Sequence, residues 1–216
     1  IAGTLALVAP YLAGLVLETY GDETGMRVLY GVMTAIYLTN AVISHHFLRE
    51  TSDVADKGLS VSALPDAFRE AYGCIPDLLR ALPSTVKAVA LICTLGFVAN
   101  AVASPYWVVY ATDTIELSTT DWGLILLIEM GLRTLVSIPA GVAVDRYGRT
   151  TFIRAALLVA GAAMPLYLMA GGFVHVLLIR AAIGVAQAFF LPASAALMAD
   201  ALPRDVRGRA MAVLGR

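Results

Sequence analysis

Glu129 and Arg133 stand four residues apart inside an apolar run that opens at Trp122. A charged side chain in hydrocarbon costs roughly 2.5–3.5 kcal/mol on insertion scales, so such groups are functional suspects by default. Counted from Asp121, Glu129 lies about 12 Å and Arg133 about 18 Å along a helix. They bracket the middle of a hydrocarbon layer roughly 30 Å thick, and the spacing puts them on one helix face. Two chemistries fit. Glu129 can carry a proton or ligate a solute, with Arg133 tuning its ionisation, or the two can neutralise each other and orient the helix. Asn100 and Gln187, in other apolar runs, can line a polar cavity or hydrogen-bond between helices. His45 and His46 are adjacent, but nothing near them completes a metal site. Cys74 and Cys93 suggest neither a disulfide nor a metal centre. No metal and no cofactor is expected.

The chain around these residues is 59% hydrophobic, with a mean hydropathy of +0.79 and 14% charged residues. Soluble domains average about 25% charged, so this is a membrane protein by composition. Apolar runs long enough to cross a bilayer are expected at 1–19, 26–48, 88–112, 121–143, 151–171 and 173–199. Of the 15 Lys and Arg residues, twelve fall in the 49–87 stretch, around Asp145 or beyond residue 200, and Arg27 stands on the opposite side. Positive charge collects on the cytoplasmic side. The long loop and the C-terminal end are therefore expected in the cytoplasm, with the chain in the plasma membrane. Within the loop, Phe68, Ala71, Tyr72, Ile75, Leu78, Leu79 and Leu82 recur at three- and four-residue steps. That periodicity predicts an amphipathic helix on the inner membrane surface; a loosely ordered linker is the plainer alternative. Tyr106, Trp107 and Tyr110 are expected in the outer aromatic belt; an outer gate is the alternative.

Between two of the runs lies Gly141-Val-Ala-Val-Asp145-Arg146-Tyr-Gly148-Arg149. Gly141 would let another helix approach, Gly148 permits a reversal, and Arg146 and Arg149 hold the turn at the inner surface. This G-x-x-x-D-R-x-G-R pattern resembles the loop signature of the major facilitator superfamily, found between helices 2 and 3 and again between helices 8 and 9. Thr150 stands where the family usually adds another basic residue. Ala9-Pro10-Tyr-Leu-Ala13-Gly14 resembles the family's helix 5 antiporter pattern, with Ala at two Gly positions. Arg180-Ala-Ala-Ile-Gly184 is similar to the R-x-x-x-G pattern of helices 4 and 10, and Asp200 with Arg207 resembles its cytoplasmic charge relay.

The resemblance implies an all-α membrane protein, a partial facilitator-type bundle of six transmembrane helices plus one interfacial helix. Residues 1–48 would be the last two helices of the N-terminal half, 49–87 the central cytoplasmic loop, and 88–216 the first four helices of the C-terminal half and the start of the next. The chain reads as an interior fragment of a longer protein. The function implied is secondary active transport of a small solute by alternating access, leaning to proton-coupled efflux through the Pro10–Gly14 pattern. Uptake by symport or facilitation is the alternative, as is a non-transporting membrane sensor. Gly141, Asp145, Arg146, Gly148, Arg149, Asp200 and Arg207 would form a cytoplasmic latch, unless the basic residues only anchor topology. Glu129, Arg133, Asn100, Arg180 and Gln187 are the candidates for binding solute or ion. Arg180 resembles a family residue implicated in proton transfer, and a buried hydrogen-bond anchor is its other reading. The expected partners are the bilayer, a small-molecule substrate and protons, with a monomer as the transport unit and no nucleic acid. No G-x-x-x-x-G-K-[ST] loop for an ATP-driven pump is present, and no catalytic constellation points to an enzyme.

Overall fold

The computed structural model describes residues 2–47 and 82–201. The expected interfacial helix, Cys74 and Arg207 lie outside them. Among the described residues the chain is all-helical: α1 (Ala2–Tyr20), α2 (Asp22–Phe47), α3 (Ser84–Val109), α4 (Thr119–Tyr147), α5 (Arg149–Leu168) and α6 (Phe173–Ala201). Five of them, α2 to α6, are long and apolar enough to cross a membrane, whereas the apolar stretch Leu7–Tyr20 of α1 is shorter.

The links are tighter than the sequence suggests. The link between the runs expected at 1–19 and 26–48 is reduced to Gly21, which takes φ 75°. Asp22 and Glu23 instead fill the first turn of α2, where carboxylates complement the helix dipole. The Gly141–Arg149 segment is likewise mostly helix. α4 continues through Asp145 and Arg146 to Tyr147, and α5 starts at Arg149. Gly148 alone makes the break, at φ 97°, while its N–H still reaches the Val144 carbonyl at 3.1 Å. Such a φ is open to glycine at little cost.

α3 ends differently, widening into a π-helical turn over Tyr110–Thr114. The chain then re-enters helix through a capping box: Ser118 Oγ accepts from Asp121 N at 3.0 Å, and Asp121 Oδ2 accepts from Ser118 N at 3.3 Å. That reciprocal pair satisfies two donors at the start of α4.

α4 and α6 form the central pair, with α1 flanking α4 and α5 flanking α6. α2 packs on α1 and is otherwise exposed along its length. Two apolar clusters hold the central helices. Trp107, Ile125, Ala163, Tyr167, Val176 and Ile183 pack at the end where α4 and α6 begin. Val144, Ile153 and Ala193 pack at the other end, beside Phe152 stacked on Phe189 at 4.9 Å. Between the clusters α4 and α6 face each other with polar side chains.

Candidate functional site

Glu129 stands ten residues into α4, about 15 Å from its start, and is 6% exposed. Its partner is Arg180 of α6, with Nη2 at 2.6 Å from Oε2. The sequence pairs Glu129 with Arg133; the structure corrects this. Both side chains turn across the interface, because α6 presents Arg180 to one and Gln187 to the other. Arg133 Nη1 donates to Gln187 Oε1 at 3.1 Å. The two helices thus carry a polar ladder of two rungs, Glu129–Arg180 and Arg133–Gln187.

The upper rung is close but not well aligned. Glu129 Oε2 and Arg180 Nε have no hydrogen-bond partner among the described residues, although the charges nearly touch. Both side chains are largely buried, at 8% and 16% exposed, so the pair is desolvated and its partners are strongly interdependent. Gly184 explains how the helices come so close. A Cβ there would stand 2.8 Å from Glu129 Cγ and 2.9 Å from Glu129 O. Gly184 follows Arg180 by four residues, one helical turn, so one α6 face supplies both the cation and the space beside it.

Arg180 is also held by aromatics. Its Cζ lies 5.0 Å from the Trp107 ring centroid and 5.5 Å from that of Trp122, within cation–π range. Trp107 in turn meets Tyr167 edge-on at 4.3 Å, and Tyr167 Oη donates to the Trp107 carbonyl at 2.8 Å. Trp107 is 7% exposed while Tyr106 is 68% exposed. The expected aromatic belt therefore divides: Trp107 turns into the core. A sequence gives depth along a helix more readily than azimuth around it. Asn100 is exposed on α3 and joins neither rung.

At the far end of α4, Arg149 gathers two acids. It lies 3.7 Å from Asp145, it is ion-paired with Asp200, and its Nη1 donates to the Ala196 carbonyl at 2.9 Å. α4, α5 and α6 thus meet at one guanidinium. Arg146 stays exposed, over the Tyr147 ring at 5.6 Å. Among the described residues no helix approaches Gly141 closely: a Cβ there would meet none of them within 4 Å.

Tight glycine contacts occur instead at the opposite end, between α1 and α4. A Cβ on Gly123 would stand 2.5 Å from the Pro10 carbonyl oxygen, and one on Gly14 would stand 2.9 Å from Thr119 C. Thr119 Oγ1 donates to the Gly14 carbonyl at 3.2 Å. Pro10 and Gly14 therefore lie in a helix seam, as their small neighbours imply. Trp122, Gly123 and Tyr167 were not singled out from the sequence. The four-residue step from Arg180 to Gly184 was a readable signal; Tyr167 offered none.

The family model described as Major Facilitator Superfamily matches residues 89–215, which takes in α3 to α6. Neither a curated protein nor a solved structure matches the chain.

Proposed function

The chain belongs to the major facilitator superfamily, a family of membrane transporters, and from that premise we propose that it moves a small solute by proton-coupled alternating access, with Glu129 as the proton-carrying group. The observation that carries this reading is the buried Glu129–Arg180 pair between α4 and α6. A ligand shifts a conformational equilibrium only through different affinity for the two states. A proton meets that condition here. With Glu129 ionised, the pair ties α4 to α6; with Glu129 neutral, the tie is gone and Arg180 is left as an uncompensated buried cation. A solute that supplies the missing counter-charge would then load with the proton, which is symport.

Efflux by antiport is the second reading, favoured by the Pro10–Gly14 seam on α4. In either direction the cluster of Arg149 with Asp145 and Asp200 serves as a latch at the basic end of the bundle. The twelve basic residues that the sequence assigns to the side of Asp145 support a cytoplasmic location for it, in the plasma membrane.

The test is reconstitution of the intact transporter in proteoliposomes, with a solute panel offered with and without a pH gradient. Wild-type protein should accumulate its solute only with the gradient, and Glu129→Gln should lose that dependence. Gradient-driven accumulation retained in Glu129→Gln would remove Glu129 from the coupling. Absence of any transport would favour a membrane sensor with the same fold.

A further inference from the structure

We infer that the solute is a small organic anion whose carboxylate takes the place of Glu129 against Arg180 and Arg133. This rests on the proton-coupled reading above and names the substrate class of the same site. Three observations carry it. Away from the helix ends, the charged groups in α3 to α6 that are buried or half-buried are Glu129, Arg133 and Arg180, one acid against two bases. Gln187, the partner of Arg133, is neutral, so its hydrogen bond leaves the Arg133 charge uncancelled. A cation approaching Glu129 would meet both guanidinium groups; an anion would be drawn to them.

The second observation is the half-used fork of Arg180. Nη2 lies against Glu129, but Nε has no hydrogen-bond partner among the described residues. A guanidinium binds a carboxylate best through two parallel N–H donors. Glu129, fixed to α4, does not reach that alignment, whereas a mobile carboxylate is free to adopt it. The third is that Arg180 has holders other than Glu129. Trp107 and Trp122 lie against it, so it keeps its place when the carboxylate leaves. Arg133, one turn further along α4, offers the second donor set.

Competition for Arg180 supplies the coupling: Glu129 and an incoming carboxylate claim the same guanidinium. A proton on Glu129 removes one negative charge from the site, and a monoanion restores it. The empty ionised state and the loaded protonated state therefore bury the same net charge. Protonation without the anion leaves Arg180 without a counter-ion, and loading without the proton sets two carboxylates against the one Arg180 guanidinium. The charged and titratable groups around Glu129 are Arg180 on α6, Arg133 on α4 and, beyond Arg180, Tyr167 on α5 with Tyr110 beside it.

Trp107 and Trp122 both flank Arg180, so the part of the emission lost when each is replaced by Phe reports on the site. Benzoate should be titrated into the intact transporter in detergent across pH 5.5–8, where the probe stays anionic, with tetraethylammonium as the cationic counterpart. A saturable fluorescence change is expected with benzoate. Its affinity should fall about tenfold per pH unit once Glu129 is ionised, because one proton is linked to one anion. Glu129→Gln should bind benzoate equally at every pH. Arg180→Lys should weaken it at least tenfold, and Arg133→Gln, at a half-buried position, gives the same readout if the Arg180 variant does not fold.

No response to benzoate, or a response that strengthens as the pH rises, would overturn the anion inference. A Glu129-dependent response to tetraethylammonium would overturn it too, yet leave Glu129 as the coupling group. Loss of the coupling itself is read separately, from gradient-driven accumulation in Glu129→Gln.

Discussion

Replacing Gly184 by Ala tests the α4–α6 contact on which the polar ladder depends. The added methyl would stand 2.8 Å from Glu129 Cγ and 2.9 Å from the Glu129 carbonyl oxygen, short of the 3.4–4 Å of ordinary contact. Neither neighbour is a flexible tip: one is backbone, the other the root of a side chain held by Arg180. The helices must part by roughly half an ångström, and overpacking of this kind costs about 1–3 kcal/mol. Ala also favours helix by about 1 kcal/mol over Gly, which hides part of that cost. Gly161→Ala on α5 isolates the propensity gain, because a Cβ there meets nothing within 4 Å. At about 2–4 °C per kcal/mol for a domain of this size, Gly184→Ala should melt roughly 2–12 °C below Gly161→Ala. Thermal melts of the intact protein in detergent measure the difference, and transport should fall in the Gly184 variant alone. Equal melting temperatures with unchanged transport in both would refute the close contact at Glu129.

Three further outcomes are expected. Asp145 and Asp200 are 70% and 65% exposed, so each latch pair contributes at most about 1 kcal/mol; Asp145→Asn should alter the transport rate by no more than about fivefold with insertion intact, Arg149→Gln should exceed that, and Arg146→Gln should change it less than twofold. Tyr167→Phe removes the buried hydrogen bond to the Trp107 carbonyl and should cost about 1 kcal/mol, read as a lower melting temperature with a shift in tryptophan emission. Gly14→Ala should destabilise through the backbone of Thr119 and Thr120, whereas Gly141→Ala, facing open space, should be neutral or stabilising.

Much of the architecture was legible because membrane helices announce themselves by length and composition. The spans expected at 88–112, 121–143, 151–171 and 173–199 each fall within a helix that extends further or ends within a few residues of them. What the sequence missed at the links has a common cause. A single glycine, Gly21 or Gly148, breaks the helix, so flanking polar residues read as loop are helical ends. The site was legible residue by residue but not pair by pair. Glu129, Arg133, Arg180 and Gln187 stood out as polar groups in apolar surroundings. Their pairing depends on how α4 is rotated against α6, and a four-residue spacing within one helix carries no information about the neighbouring one. Trp107 and Gly141 differ from expectation for the same reason: a sequence places a residue along its helix but not around it.

The central claim is that Glu129 takes up a proton while Arg180 stays in place. Infrared difference spectroscopy of the intact transporter in lipid, with the pH lowered stepwise, measures this directly. The account predicts one protonated-carboxyl band that grows in wild-type protein and is missing from Glu129→Gln, with tryptophan emission still reporting Arg180 beside its indoles. A Glu129 that stays ionised across the whole pH range in which transport responds to a gradient would contradict it.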